Sequence, residues 1–118
     1  MAEACSCGGA FKLIFACSGS SDVGEITDRV ARRLSREGRG KMVCSNGIGA
    51  HIAGMIESAK AAGELIAIDG CGISCVKKTL EHAGLSARSF NLKELGYQKG
   101  VTPCTDDIVA QVIQKMGV

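Results

Sequence analysis

The sequence has few aromatic residues: no tryptophan, one tyrosine and three phenylalanines among 118 residues. A core of packed rings is therefore excluded, and any interior must be assembled from Leu, Ile, Val, Met and Ala. A basic stripe is also missing. Fourteen Lys and Arg face twelve Asp and Glu, with both signs mixed along the chain. Nothing would track a phosphate backbone, so nucleic acid is not an expected partner. No apolar run is long enough to span a bilayer, so no membrane is expected either. The nearest approach to a secretory segment is Phe11 to Cys17, where Ile14-Phe15-Ala16-Cys17 has the outline of a lipoprotein cleavage site. The stretch before it carries Glu3 and no Lys or Arg, and Lys12 interrupts the apolar run, so a strand is the better reading. Low-complexity segments are absent.

What the chain does have is cysteine, seven of them, an odd number. Without a secretory signal these thiols are expected in a reducing cytoplasm, where a cluster means metal or redox chemistry more than structural disulfides. The length fits one domain, and an apolar fraction of 46% is enough to build a core for it. Residues 1–9 read as a flexible, cysteine-containing lead-in and residues 10–118 as a single domain.

Along that domain, short apolar runs alternate with amphipathic segments. Phe11 to Ala16 reads as a buried strand. Val23, Ile26, Val30 and Leu34 share one helical face, and Gly38 stops the helix. Lys41 to Cys44 reads as a second strand. Ile48, Ile52, Met55, Ile56 and Ala59 mark one helix ended by Gly63, and Leu65 to Ile68 a third strand. Ile73, Val76, Leu80 and Ala83 mark a helix ended by Gly84, and Ala87 to Leu92 alternates as an edge strand would. Gly96 to Pro103 reads as a loop. Thr105-Asp106-Asp107 then caps a last helix with Ile108, Val109, Val112, Ile113 and Met116 inward. Strands alternating with helices predict a small three-layer α/β domain. About four parallel strands in the order 2-1-3-4, with helices on both faces, would make it flavodoxin-like.

Cys17, Cys44 and Cys71 are spaced 27 residues apart, one strand plus one helix plus turns. Each falls at or just past the end of a predicted strand, and in the order 2-1-3 these strands are neighbours. The three thiols are thus expected at the carboxyl edge, where open α/β sheets bind ligands. Cys75 follows Cys71 by one helical turn and is expected on the same face. Four thiolates suit a closed tetrahedral zinc site, although the usual Cys-x-x-Cys knuckle is replaced by Cys71-x-x-x-Cys75. An iron–sulfur cluster uses similar ligands, and a dithiol redox pair, Cys17 with Cys71 or Cys75, stays open.

Blander readings stand beside these. A single free cysteine at a strand end is often just a small hydrophobe. Cys5 and Cys7 belong either to an arm that folds back on the site or to an unimportant tail. Cys104, beside Pro103, reads as a packing residue and a reserve ligand. His51 is a replacement ligand or, more simply, a partly buried structural histidine. His82 suits a helix C-terminus, and Lys77 and Lys78 make a solvated face. Asp69 is placed to accept backbone hydrogen bonds or to tune the thiols. In the loop Cys17-Ser18-Gly19-Ser20-Ser21-Asp22-Val23-Gly24, the position where a low-molecular-weight tyrosine phosphatase needs arginine is Val23, and Asp22 would repel phosphate. Phosphatase chemistry is rejected, and helix capping by Ser20, Ser21 and Asp22 is preferred.

Three stretches carry a family resemblance: Phe15 to Gly24, then Ile68-Asp69-Gly70-Cys71 with Cys75-Val76-Lys77-Lys78-Thr79-Leu80, and Leu92-Lys93-Glu94-Leu95-Gly96. From about Lys12 to Lys99 the chain resembles the DGC-domain family of zinc-binding proteins. The resemblance implies one zinc ion on four cysteines. Carried over by position, Cys17, Cys71 and Cys75 are three of them, and Cys44 is the fourth, since the family has a cysteine after its second strand. The resemblance implies no particular reaction.

Overall fold

The computed structural model describes residues 11–118. The lead-in, with Cys5 and Cys7, lies outside the described residues. In chain order the elements are β1 (Lys12–Ala16), α1 (Asp22–Arg36), β2 (Lys41–Met42), α2 (Ser45–Gly49), α3 (Ala53–Ala61), β3 (Glu64–Asp69), α4 (Cys75–His82), β4 (Arg88–Asn91) and α5 (Asp106–Met116). The four strands form one parallel sheet in the order β2-β1-β3-β4, as the alternation of elements predicts. In register, Ala16 sits opposite Ile68 and Asp69 opposite Asn91.

The two-residue period of β1 and β3 supplies two cores. Ile14, Ala16, Ile66 and Ile68 point to one face and pack against α1 and α5 through Val23, Ile26, Val30, Leu34, Val109 and Val112. Leu13, Phe15, Leu65 and Ala67 point to the other and pack under α2 to α4 through Ile48, Ala59, Val76 and Leu80. Both faces of the sheet being covered explains why these strands read as continuous apolar runs. Each fully buried branched side chain contributes about 1.5–3 kcal/mol, so aliphatic residues supply most of the core's stabilisation, with Phe15 the one fully buried ring among the described residues. The crossover that runs outward from β1 to β2 lies on one face. The crossovers running the opposite way, β2 to β3 and β3 to β4, lie on the other, as a single hand of connection requires.

Helix boundaries follow local chemistry. Ser21 caps α1, its hydroxyl accepting from Gly24 N–H at 3.1 Å, and Thr105 caps α5 by accepting from Ile108 N–H at 3.2 Å. Gly38 and Gly84 take positive φ just past α1 and α4. The structure departs from the sequence reading in two places on this side of the sheet. β2 is two residues long, ending before Val43 and Cys44. The helix expected from Ile48 to Ala59 is two helices, broken at residues 50–52. At the break His51 adopts φ 57°. His51 N–H donates to Ile48 C=O and Ile52 N–H to Gly47 C=O, the pair of bonds that ends a helix on a left-handed residue, normally glycine. Among the described residues no helix is long and apolar enough to cross a membrane.

Candidate functional site: a thiol cleft at the sheet edge

A cleft of about 810 Å³ opens at the carboxyl ends of β1 and β2. Cys17, Ser18 and Gly19 of the β1–α1 loop, Cys44, Ser45 and Asn46 at the start of α2, and Cys75 and Thr79 of α4 line it. Three of the four expected thiols therefore share one cavity. Cys17 is half-buried, and Cys44 and Cys75 are exposed.

Each thiol is held differently. Cys17 continues the ladder of β1, its N–H donating to Ile68 C=O at 2.9 Å. Its carbonyl accepts from the buried Thr27 hydroxyl of α1. Gly24 presses on Gly19 so closely that a Cβ there would sit 2.6 Å from the Gly19 carbonyl oxygen, so the β1–α1 loop and the first turn of α1 form one packed unit. Cys44 follows the short β2 and stands at the N-cap of α2 with no side-chain capping bond.

Cys75 opens α4, and Asp69 fixes that opening. Asp69 is 2% exposed, and its two carboxylate oxygens accept from Val76 N–H at 2.8 Å and Lys77 N–H at 3.0 Å. A carboxylate at a helix N-terminus satisfies otherwise orphaned donors and complements the helix dipole. Asn91, opposite Asp69 in β4, donates through Nδ2 to Cys71 C=O at 2.7 Å and Ser74 Oγ at 3.0 Å. Ser74 itself takes φ 57°. The 70–74 turn is thus pinned at both ends by buried polar side chains.

That turn separates Cys71 from Cys75. The helix begins at Cys75, so the two are not related by a helical turn, and they do not share a face. Cys71 packs toward the α1–α5 core and lines a different cleft of about 520 Å³ with Gly72, Lys93, Tyr97 and Lys99. Cys17 packs toward the α2–α4 core. Among the described residues, no three His, Cys, Asp or Glu side chains stand close enough together to hold one ion. The donor chemistry of Cys17, Cys44 and Cys75 still fits a soft or borderline metal, and their shared cavity leaves room for one.

The remaining expected positions disperse. Cys104 packs against the α1–α5 core, away from the cleft, and burial together with Glu25 pushes its thiol above the ordinary range despite Arg29. Val23 is buried in the α1–α5 core. His51 is exposed at the helix break rather than partly buried in a helix, and its ring meets that of His82.

Two cleft residues were missed at the level of sequence. Asp28 and Arg32 form one wall, with Arg32 Nε 2.7 Å from Asp28 Oδ2 and Ser18 Oγ 2.7 Å from Asp28 Oδ1. Partial burial raises the Asp28 carboxyl, but the Ser18 hydroxyl and the Arg32 and Arg29 charges outweigh it and hold the acid below its usual value. The available signal was their four-residue spacing on the polar side of α1.

Among known proteins, the family model described as the DGC domain matches residues 13–116. The chain is also similar to the anaerobic and virulence modulator AnvM of Pseudomonas aeruginosa, with 33% identity over 88 residues, covering 74% of this chain and 67% of that protein. No solved structure matches the chain significantly.

Proposed function

The chain belongs to the DGC-domain family, and on that premise we propose that it binds a thiophilic metal ion, zinc first, at the sheet-edge cleft. Cys17, Cys44 and Cys75 are the primary ligands. The observation that carries this reading is their convergence on one cavity from three separate elements. The three thiols must draw together across the cleft to reach one ion, since they do not stand at ligand distance of a common point. So assembled, three protein thiols and one free position would make an open zinc site, the kind that exchanges ligands, more than a closed structural one. Cys71 remains the candidate fourth ligand, but reaching the same ion requires the 70–74 turn to rearrange against the Asp69 and Asn91 bonds. The ion would be held or passed on, and when bound it would supply Lewis acidity. Seven thiols suit a reducing compartment, and the cytoplasm is the one proposed.

The test is elemental analysis of protein purified without added metal. About one zinc per chain is expected. Cys17→Ser, Cys44→Ser and Cys75→Ser should each weaken retention at least tenfold, while Cys104→Ser should leave it unchanged. Loss on Cys71→Ser equal to that on Cys75→Ser would convert the open site into a closed four-thiol one. Metal-free protein with every thiol freely titratable, and no uptake on adding zinc, would sink metal binding. It would favour a second reading, a thiol redox protein whose pair is Cys17 with Cys75, since these two share the cleft and Cys71 does not.

A further inference from the structure

The α2–α4 seam has a second chemistry at its far end. On α4, Cys75, Thr79 and His82 fall at i, i+4 and i+7 and share one face. Cys75 and Thr79 line the thiol cleft together with Gly49 of α2. His82 lies about 10 Å further along the helix axis, where its ring meets that of His51, with centroids 5.3 Å apart and planes at 64°. Both histidines are exposed.

We propose that His51 and His82 form a second metal site, a bis-imidazole clamp for a borderline divalent ion such as zinc, nickel or copper(II). Three observations converge. First, the separation fits: with metal–nitrogen bonds of about 2.0–2.1 Å, each ring centroid lies about 3.2 Å from the ion, and a tetrahedral angle then sets the two centroids about 5.2 Å apart. Second, imidazole is the side chain these ions prefer. Third, His51 occupies the left-handed position that ends α2, where glycine or asparagine is the ordinary choice. An imidazole is thereby directed at His82 from a position that local backbone preference would give to another residue. Solvent supplies the remaining coordination positions, because among the described residues no third ligand of the His, Cys, Asp or Glu type joins the pair. The site is distinct from the thiols and stands whether or not they hold metal.

Histidine-ring NMR on the full chain, titrated with zinc, tests this without interference from the thiols, because it reads the two rings individually. Both rings should shift together, only after the thiols have taken up their share of the zinc, and saturate at one further ion per chain, with half-saturation in the micromolar range of free zinc. His82→Gln should weaken the response of His51 at least tenfold, and His51→Asn, which keeps a residue suited to positive φ, should do the same to His82. Strand amide shifts serve as the check that each variant is folded. Rings that respond independently, a response needing millimolar zinc, or a His82 response unchanged in His51→Asn would each overturn the proposal and leave the ring contact as packing alone.

Discussion

Removing the Asp69 carboxylate tests how the cleft is held together. In Asp69→Ala, two backbone donors lose their partner: Val76 N–H, which is buried, and Lys77 N–H, which water reaches. A buried donor left unsatisfied costs about 1–3 kcal/mol, while a rehydrated one costs far less. These two bonds are also the cap of α4, whose loss by itself costs about 0.5–2 kcal/mol. The expected destabilisation is therefore about 1–3 kcal/mol, a large share of the 5–15 kcal/mol typical of a domain. Asp69→Asn keeps one acceptor but turns an amide N–H toward the second donor, so about 1–2 kcal/mol is expected. Urea unfolding of the three proteins at neutral pH reads these values. Amide exchange locates them, with Val76 and Lys77 speeding up more than the amides of α1. A loss below about 0.5 kcal/mol for Asp69→Ala, or unchanged exchange at those two amides, would refute the claim that Asp69 fixes the start of α4.

Gly70→Ala should destabilise by about 1–3 kcal/mol, because a Cβ there would lie 2.9 Å from the Val23 backbone. Gly54→Ala, in the first turn of α3 with nothing within 4 Å, should stabilise by about 0.4–1 kcal/mol, and denaturant midpoints for the two should move in opposite directions. Asp28 is held below its ordinary value of 3.8, so its contribution is present above that pH and is lost as pH falls through the folded value. The stability gap between wild type and Asp28→Asn should therefore narrow between pH 6 and pH 3, and a gap that widened would reverse the assignment.

The strand order and both core faces were legible because β1 and β3 are apolar runs bounded by clear stops, and because the caps Ser21 and Thr105 carry their own chemistry. The break at His51 was not. Ile48, Ile52, Met55, Ile56 and Ala59 keep a helical period straight across it, and although Gly49 and Gly54 flank the break, the left-handed position itself is a histidine. Cys71 lies just past the end of β3, where the spacing puts it, but its relation to Cys75 was not legible, for a related reason. Four-residue spacing implies a shared face only inside a helix, and α4 starts at Cys75 after a left-handed Ser74. The equal 27-residue spacing rightly placed Cys17 and Cys44 at neighbouring loops. It carried no information about which side of the sheet each loop's thiol turns toward.

The three cleft thiols differ mechanically. Cys17 is laced into the sheet ladder and Cys75 is moored by a doubly bonded carboxylate, whereas Cys44 rides on a two-residue strand and an uncapped five-residue helix. Two jaws of the cleft are fixed and one is compliant. An arriving guest would be met by stationary sulfurs on two sides and by a yielding one on the third. On the proposed reading, the span of Cys44, not the bore of the cavity, would set how wide a range of ionic radii the cleft could accept, and guests would enter and leave past α2.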